Sequence, residues 1–251
     1  AVGADGNFAL LMQVYKGSAP TKSPLAVNPE TPAENTYDVF ATVTRPDGSF
    51  LAFYSDLGTG VNLSNGIYMS EFQSNGSIVQ AHKLVAPDRM VFPALGIEAN
   101  PEAVSAVLMS NGNVGLAFEE NTATGGSSVV FQEITQAGAA VGTSVTLQLE
   151  AALRPKLLAL SDGRLLAVWS SVDQFAAATL KAQFLTATGE TVGTAFNLAA
   201  EATGSQSLAD LVALPNGGFA AAWFSGGTDA VARIFDSQGT GLGNDFSVTE
   251  T

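Results

Sequence analysis

The sequence predicts an all-β protein, a β-propeller of four-stranded blades, and three observations lead to that prediction. A phrase with an Asp-Gly or Asn-Gly turn between apolar runs occurs four times, its Asp or Asn standing at positions 47, 111, 162 and 216. A second phrase of the pattern strand, turn, strand follows each copy. The copies are 64, 51 and 54 residues apart, which is the size of a propeller blade. The alternative is a β-sandwich in which the four copies are similar by accident.

Each copy of the first phrase predicts a β-hairpin, because Asp-Gly and Asn-Gly favour two-residue turns in which both central residues have positive φ. An aromatic residue follows the Asp or Asn by seven positions in every copy. Large aromatics that recur at one strand position are expected to pack one blade against the next. The sequence therefore predicts four core residues, namely Tyr54, Phe118, Trp169 and Trp223.

The second phrase adds two strands to each hairpin and sets the boundaries of the blades. A single propeller domain is predicted over 1–251, with complete blades at 36–86, 101–150, 152–200 and 205–251 and an insertion at 87–97. Residues 1–35 match only the latter half of a blade, so about five blades are expected, the N-terminal one incomplete. Two missing strands lie upstream in a longer precursor, come from another chain, or are replaced by an extra strand at Ala1–Phe8.

The composition of the chain excludes several classes of function. The chain has 251 residues, of which 46% are hydrophobic and 13% charged, unlike a disordered chain. Its net charge of −13 and its pI near 4.2 have the wrong sign for binding nucleic acid or anionic membranes. There is no cysteine and a single histidine, so disulfides, thiol catalysis and multi-histidine zinc sites are excluded.

The repeated phrases carry a resemblance. The pattern Leu-Ser/Pro-Asp/Asn-Gly, apolar alternation, an aromatic such as Trp169, then a Gln/Arg-Phe strand and a Gly-containing turn resembles the repeats of large secreted bacterial RTX-type proteins and adhesins. That resemblance implies an extracellular or cell-surface location, a dedicated secretion system and a calcium-rich environment, but no particular activity. The Gly-Gly-x-Gly-x-Asp nonapeptides that bind calcium in many such proteins are missing from the sequence.

Polar loops follow each of the four aromatics and are expected to share one face of the propeller. Loops on one face of a rigid scaffold often bind ligands, and carboxylates around a channel can bind calcium through oxygen. Calcium is therefore the one cofactor that the loops suggest, although no loop holds enough carboxylates by itself. The alternative interpretation is that these loops are ordinary solvated loop tips. The candidate ligand-binding residues of these loops are Asp56, Glu119, Glu120, Asp173 and Asp229.

Two further groups of residues are candidates for binding. Charged residues that differ between blades precede the turns, and two interpretations remain open for them, a channel lining or ordinary strand edges: Asp38, Glu102, Arg154, Lys156 and Asp210. The insertion holds Arg89 and Phe92, which are residue types enriched at interfaces. It is expected to bind a partner or to cover the edge of the ring.

Catalytic motifs are not evident in the sequence. A nucleophile would have to use His82, which lies in a strand-like run, and there is no Gly-x-Ser-x-Gly elbow. The turns resemble the Asp-boxes of sialidases, but their aromatic lies too far from the acid. The sequence thus predicts a non-enzymatic extracellular protein acting in adhesion or in surface or matrix assembly.

Two alternatives remain open. One is a carbohydrate-binding or polysaccharide-cleaving propeller with its site at the channel mouth, and the other is a surface-layer or filament subunit. The expected partners are a glycan or cell-surface ligand and further copies of the chain, joined through the incomplete N-terminal blade. Nucleic acid and membrane insertion are not expected.

Overall fold

The fold consists of short β-strands joined by tight turns. The computed structural model describes residues 11–12, 15–16, 19–20, 25–26, 37–56, 66–87, 104–121, 126–149, 151–175, 177–200, 204–227 and 229–248. Near the N-terminus, β1 (Leu11–Met12) pairs with β4 (Leu25–Ala26), and β2 (Tyr15–Lys16) pairs with β3 (Ala19–Pro20).

The rest of the described chain forms four antiparallel sheets, each with its four strands hydrogen-bonded in chain order. We name them sheets I to IV. Sheet I holds β5 (Tyr37–Thr44), β6 (Phe50–Asp56), β7 (Gly66–Phe72) and β8 (Ile78–Pro87); sheet II holds β9 (Val104–Leu108), β10 (Val114–Asn121), β11 (Ser127–Ile134) and β12 (Ala140–Gln148); sheet III holds β13 (Ala152–Ala159), β14 (Leu165–Val172), β15 (Ala178–Leu185) and β16 (Thr191–Asn197); sheet IV holds β17 (Gln206–Ala213), β18 (Phe219–Ser225), β19 (Asp229–Phe235) and β20 (Phe246–Ser247).

The four sheets are arranged as blades. The first strands β5, β9, β13 and β17 follow one another as spatial neighbours, so they are the innermost strands. One apolar cluster joins sheet I to sheet II, a second joins II to III, and a third joins III to IV. The architecture confirms the predicted all-β propeller of four-stranded blades.

The predicted core aromatics are confirmed. Tyr54, Phe118, Trp169 and Trp223 are all at most 1% exposed. Phe118 packs on sheet I, Trp169 on sheet II and Trp223 on sheet III. Burying a side chain of this size stabilises the fold by roughly 1.5–3 kcal/mol, so Phe118, Trp169 and Trp223 each help hold their sheet against the preceding one, whereas Tyr54 packs with other aromatics of sheet I. We call the face that carries the aromatic the leading face, and the opposite face, which meets the next sheet, the trailing face.

The hairpins form where the sequence predicts them, but the predicted turn geometry is wrong. In sheet I, the Gly48 N–H donates to the Arg45 carbonyl at 2.9 Å and the Arg45 N–H to the Ser49 carbonyl at 2.8 Å. This is a three-residue loop, a type I turn followed by a glycine in the left-handed region. Only Gly48 has positive φ, +81°, because the side chain of Asp47 instead accepts the Ser49 N–H at 2.9 Å.

Side chains of these turns also join neighbouring sheets at one end of the molecule. Arg45 Nη2 donates to the Gln136 carbonyl of sheet II at 3.4 Å, and Asn111 Nδ2 donates to the Ala187 carbonyl of sheet III at 3.2 Å. Arg164 Nη2 donates to the carbonyl of Ser237 in sheet IV at 2.6 Å. We call these three bonds the turn clasps. They fix the angle between consecutive sheets at the end opposite to the candidate site.

Candidate functional site

The candidate site lies at the end of the sheets where the innermost strands begin. Antiparallel pairing places the start of each first strand beside the end of the second strand. In sheet II, for example, Val104 at the start of β9 pairs with Phe118 near the end of β10. The predicted polar loops follow β6, β10, β14 and β18 and therefore lie at this same end, which we call the mouth face.

Bulges interrupt three of the innermost strands close to the mouth face. The register shifts between Tyr37 and Phe40 in β5, between Leu153 and Lys156 in β13, and between Leu208 and Asp210 in β17. A bulge bends a strand and re-aims its side chains, and bulges are frequent beside active sites. The predicted inner-strand charges Arg154, Lys156 and Asp210 lie in or beside two of these bulges.

Arg154 and Glu119 form the contact that joins sheets II and III at the mouth. Arg154 has φ +54°, a left-handed conformation that costs an ordinary residue roughly 1–2 kcal/mol. Its backbone N–H donates to Glu119 Oε1 at 2.7 Å. Glu119 itself is 3% exposed, so its carboxylate is held inside the wall of the mouth. A charge-assisted hydrogen bond of this kind offsets the strain of the bulge.

A second contact joins sheets III and IV. Lys156 Nζ lies 4.0 Å from Asp210 Oδ1, and the Asp210 side chain is 86% exposed. The same innermost strand is tied to sheet II, because the Leu157 N–H donates to Ser105 Oγ at 2.9 Å. An ammonium and an exposed carboxylate thus lie at ion-pair distance on neighbouring innermost strands.

The other predicted loop residues are placed less favourably. Asp173 is exposed and accepts the N–H groups of Phe175 and Ala177 at 2.8 and 2.9 Å, so it shapes its own loop. Asp229 is exposed at the start of β19, and Glu120 is half-buried next to Glu119. The backbone of Asp56 ends β6 opposite Gly66.

Several predicted residues cannot be placed at the site. Arg89, Phe92 and the rest of the 87–97 insertion beyond Pro87 lie outside the described residues, as does Glu102. For Asp38 the structure describes only the backbone, which belongs to β5. The candidate site is therefore built from sheets II, III and IV.

Phe175 is a further candidate residue that the sequence did not point to. It lies in the loop after β14, between Asp173 and Ala177, and is 80% exposed. An aromatic ring held in solvent on the rim of a polar mouth is a platform on which an apolar ligand face can stack. Its signal in the sequence was one large apolar residue inside an otherwise small and polar loop.

His82 belongs to a different part of the molecule. It lies in β8, as predicted, with φ +50°, its Nδ1 3.1 Å from the Tyr54 hydroxyl and its ring stacked 4.1 Å from that of Tyr68. Among the residues that the structure describes, no three His, Asp or Glu side chains gather as a metal site requires. Calcium binding stays a prediction.

Comparisons with known proteins show the fold. No protein-family model matches the chain, and no curated protein matches its sequence, so the RTX resemblance stays a prediction. Among solved structures, a lectin from Burkholderia pseudomallei is 13% identical with a TM-score of 0.64, over 99% of this chain and 65% of that chain. An α-L-arabinanase from Penicillium chrysogenum, solved with arabinobiose, is 14% identical with a TM-score of 0.58, over 88% of this chain and 69% of that chain. A "Hadza microbial sialidase" is 14% identical with a TM-score of 0.55, over 81% of this chain, which spans 45% of the sialidase chain.

These likenesses correct two predictions. The adhesion or assembly function is wrong as the leading interpretation, because the similar structures are propellers of a lectin and of glycosidases. The exclusion of enzyme chemistry is wrong for the same reason. A single histidine and the missing Gly-x-Ser-x-Gly elbow do not bear on glycoside hydrolysis, which needs a pair of carboxylates that a sequence alone does not single out. The carbohydrate alternative fits the structure better.

Proposed function

We propose that this protein recognises carbohydrate through the mouth face of sheets II to IV. The observation that carries the proposal is the arrangement at the mouth: Lys156 and Asp210 stand side by side on innermost strands, with the exposed ring of Phe175 on a rim loop of sheet III. A sugar presents hydroxyls along its edges and an apolar C–H surface on its ring faces. Charged groups that donate and accept, together with an aromatic ring on a loop of sheet III, complement both surfaces.

Support also comes from where the groups are anchored. Arg154 and Lys156 belong to a bulged strand that is tied to sheet II by Glu119 and Ser105. Binding groups held on a rigid scaffold lose little conformational entropy when a ligand binds. The lectin, the arabinanase and the sialidase have the same fold, so glycans are the first ligands to test.

Hydrolysis is the second candidate function, and Asp210 favours it. Glycoside hydrolases work with two carboxyl groups about 5–9.5 Å apart, and Asp210 offers one solvent-accessible carboxylate at the mouth. A polysaccharide-cleaving propeller would use it with a second acid of the mouth face. Release of reducing ends from arabinan, abolished by Asp210→Asn while binding persists, would establish this activity.

The binding proposal is tested by titrating arabinan oligosaccharides, and a glycan array, against the wild type and Phe175→Ala. A stacked contact on an aromatic ring is worth roughly 0.5–1.5 kcal/mol, so the variant is expected to bind about three- to tenfold more weakly. Phe175→Tyr keeps the ring and should keep the affinity. Val79→Ala, at an apolar position of β8 that is 54% exposed, serves as the control outside the site. Equal affinity of Phe175→Ala and wild type would exclude the platform.

We also propose that the protein meets its glycan outside the cell. No helix among the described residues is long and apolar enough to cross a membrane. Recovery of the native protein from the medium or from the cell surface is the expected result. Recovery from the cytoplasm alone would contradict the proposal.

A further inference from the structure

The described part of the mouth face carries more negative than positive charge. The cations on its innermost strands are Arg154 and Lys156, and the carboxylates on its strands and loops are Glu119, Glu120, Asp173, Asp210 and Asp229. The whole chain has the same excess, with 23 acidic and 10 basic residues and a net charge of −13. Summed charge of one sign repels ligands of that sign, so this face disfavours an anion.

The Lys156 ammonium already has a carboxylate partner. Its Nζ lies 4.0 Å from Asp210 Oδ1, and the Asp210 side chain is 86% exposed against 34% for that of Lys156. The carboxylate is therefore the more accessible group of the pair. An anionic ligand group that approaches Lys156 meets the opposing charge of Asp210 beside it. Lys156 thus offers hydrogen-bond donors to a ligand, but the pair carries no net positive charge.

A second carboxylate lies on the other side of the same innermost strand. Glu119 Oε1 of sheet II accepts the backbone N–H of Arg154 at 2.7 Å, and Glu119 is buried. Charges held inside a protein are screened much less than exposed ones. The strand that carries both cations is therefore flanked by a carboxylate from each neighbouring sheet, Glu119 from sheet II and Asp210 from sheet IV.

We propose that the glycan bound at the mouth is neutral, and that the flanking carboxylates exclude sugars bearing carboxylate or sulfate groups. This inference rests on the carbohydrate recognition proposed above and adds the chemical class of the ligand. Sugar hydroxyls both donate and accept, so a carboxylate and an ammonium can each bind them. An anionic group at the same place would lie beside Asp210, and juxtaposed like charges oppose binding. Repulsion contributes to the specificity of the mouth together with attraction.

Salt dependence is a second signature of this exclusion. Repulsion between the protein and an anionic ligand acts over about one Debye length, roughly 8 Å at physiological ionic strength and less at higher salt. The affinity for an acidic glycan is therefore expected to rise as salt is added, while the affinity for a neutral glycan stays constant. A mouth that bound anions through ion pairs would lose affinity for them as salt is added.

The test starts from an array of neutral, carboxylated and sulfated glycans and continues by calorimetric titration of each selected glycan. The glycan is compared with a derivative whose primary hydroxyl groups are oxidised to carboxylates, and with the methyl ester of that derivative, which has no charge. At low salt the neutral parent is expected to bind at least about tenfold more tightly than the acid. Esterification is expected to recover part of the lost affinity, and added salt should narrow the gap.

Two variants separate the charge at the mouth from the net charge of the chain. Asp210→Asn removes the carboxylate beside Lys156, so the preference for the neutral parent over the acid is expected to fall about three- to tenfold. Asp47→Asn removes the same charge from the turn of sheet I, at the opposite end of the molecule. Asparagine occupies the matching turn position in sheets II and IV, as Asn111 and Asn216. This control is expected to keep the preference of the wild type.

Each outcome decides the proposal. A preference for neutral glycans that falls in Asp210→Asn but not in Asp47→Asn would establish it. Selection of acidic glycans on the array, equal affinity for parent and acid, or an affinity for the acid that falls with salt would overturn it and leave carbohydrate recognition standing. A preference that both variants keep, or lose equally, would also overturn it, because the repulsion would not come from the mouth. A protein that binds no glycan would overturn both proposals.

Discussion

At the scale of single residues, the mouth depends on a few polar side chains that hold a bent strand in place. Arg154 adopts a left-handed backbone at the bulge of β13, and the Glu119 carboxylate accepts its N–H. Glu119 is buried, so solvent cannot replace the bond if the carboxylate is lost. The position of Lys156, two residues further on, depends on the same bulge.

Replacement of Glu119 is therefore expected to destabilise the protein. Glu119→Ala leaves the Arg154 N–H without its acceptor and should lower the free energy of unfolding by about 1–3 kcal/mol. Glu119→Gln keeps an oxygen in the same place and should lose less. Urea unfolding followed by tryptophan fluorescence measures both variants. Equal stability of the alanine variant and the wild type would show that the bond does not support the bulge.

Asp162 lies at the end of the molecule opposite to the mouth face, and its carboxylate makes the stability of the fold depend on pH. Partial burial raises the pKa of Asp162. Hydrogen bonds from the Arg164 side chain and N–H, together with the Arg164 charge, lower this pKa by more, so it lies below its ordinary value. A carboxylate whose folded pKa is depressed stabilises the fold above its unfolded pKa, about 3.9, and that stability is lost as pH falls through the folded pKa.

Asp162→Asn is accordingly expected to be less stable than the wild type at neutral pH and to show a smaller loss of Tm on acidification. The pair is solvent-accessible, so the difference should stay below about 1 kcal/mol. Thermal unfolding of both proteins between neutral pH and pH about 3 measures it. Parallel curves for the two proteins would show that the Arg164 contact contributes nothing.

At the scale of elements, turn glycines serve two separable roles, and some serve only one of them. Gly112 and Gly189 have φ +85° and +82°, so alanine at either position is strained. A Cβ at Gly112 would meet nothing within 4 Å, whereas a Cβ at Gly189 would overlap the ring of Phe131. Phe131 belongs to sheet II and Gly189 to sheet III, so the turn glycine also permits close contact between sheets.

Gly189→Ala should therefore cost more than Gly112→Ala. Backbone strain alone predicts a loss of roughly 1–2 kcal/mol for Gly112→Ala, and displacing the Phe131 ring should add about 1–3 kcal/mol for Gly189→Ala. Urea unfolding of the two variants gives the difference directly. Equal losses would mean that the Phe131 ring moves aside without cost.

The elements also show how far sequence reasoning reaches. The repeated turns predicted the hairpins, and recurring aromatics such as Trp169 predicted the core, because both follow from local chemistry or strict periodicity. The predicted turn geometry was wrong because the side chains of Asp and Asn accept hydrogen bonds from the loop, so these residues need not adopt positive φ. Bulges such as that at Arg154 break the period of two, and the exposure of Phe175 depends on packing between loops. Neither could be predicted from a repeat.

At the scale of the whole molecule, the sheets work as a chain of similar interfaces. Every trailing face from sheet I to sheet III is covered by the aromatic leading face of the next sheet. The interior is thus used for stability, and the mouth face is left to differ between sheets. The charges of Arg154 and Lys156 lie on the innermost strand of sheet III and that of Asp210 on the innermost strand of sheet IV, and these are the groups to which we propose that the ligand binds.

The central claim is carbohydrate recognition at this mouth, and the most direct measurement is calorimetric titration of arabinan oligosaccharides and array-selected glycans against the wild type, Phe175→Ala and Asp210→Asn. The account predicts that the wild type binds at least one glycan. Phe175→Ala should bind it about three- to tenfold more weakly, with unchanged stability. Asp210→Asn should still bind the glycan. Absence of binding to every glycan tested, or full affinity of Phe175→Ala, would contradict the account.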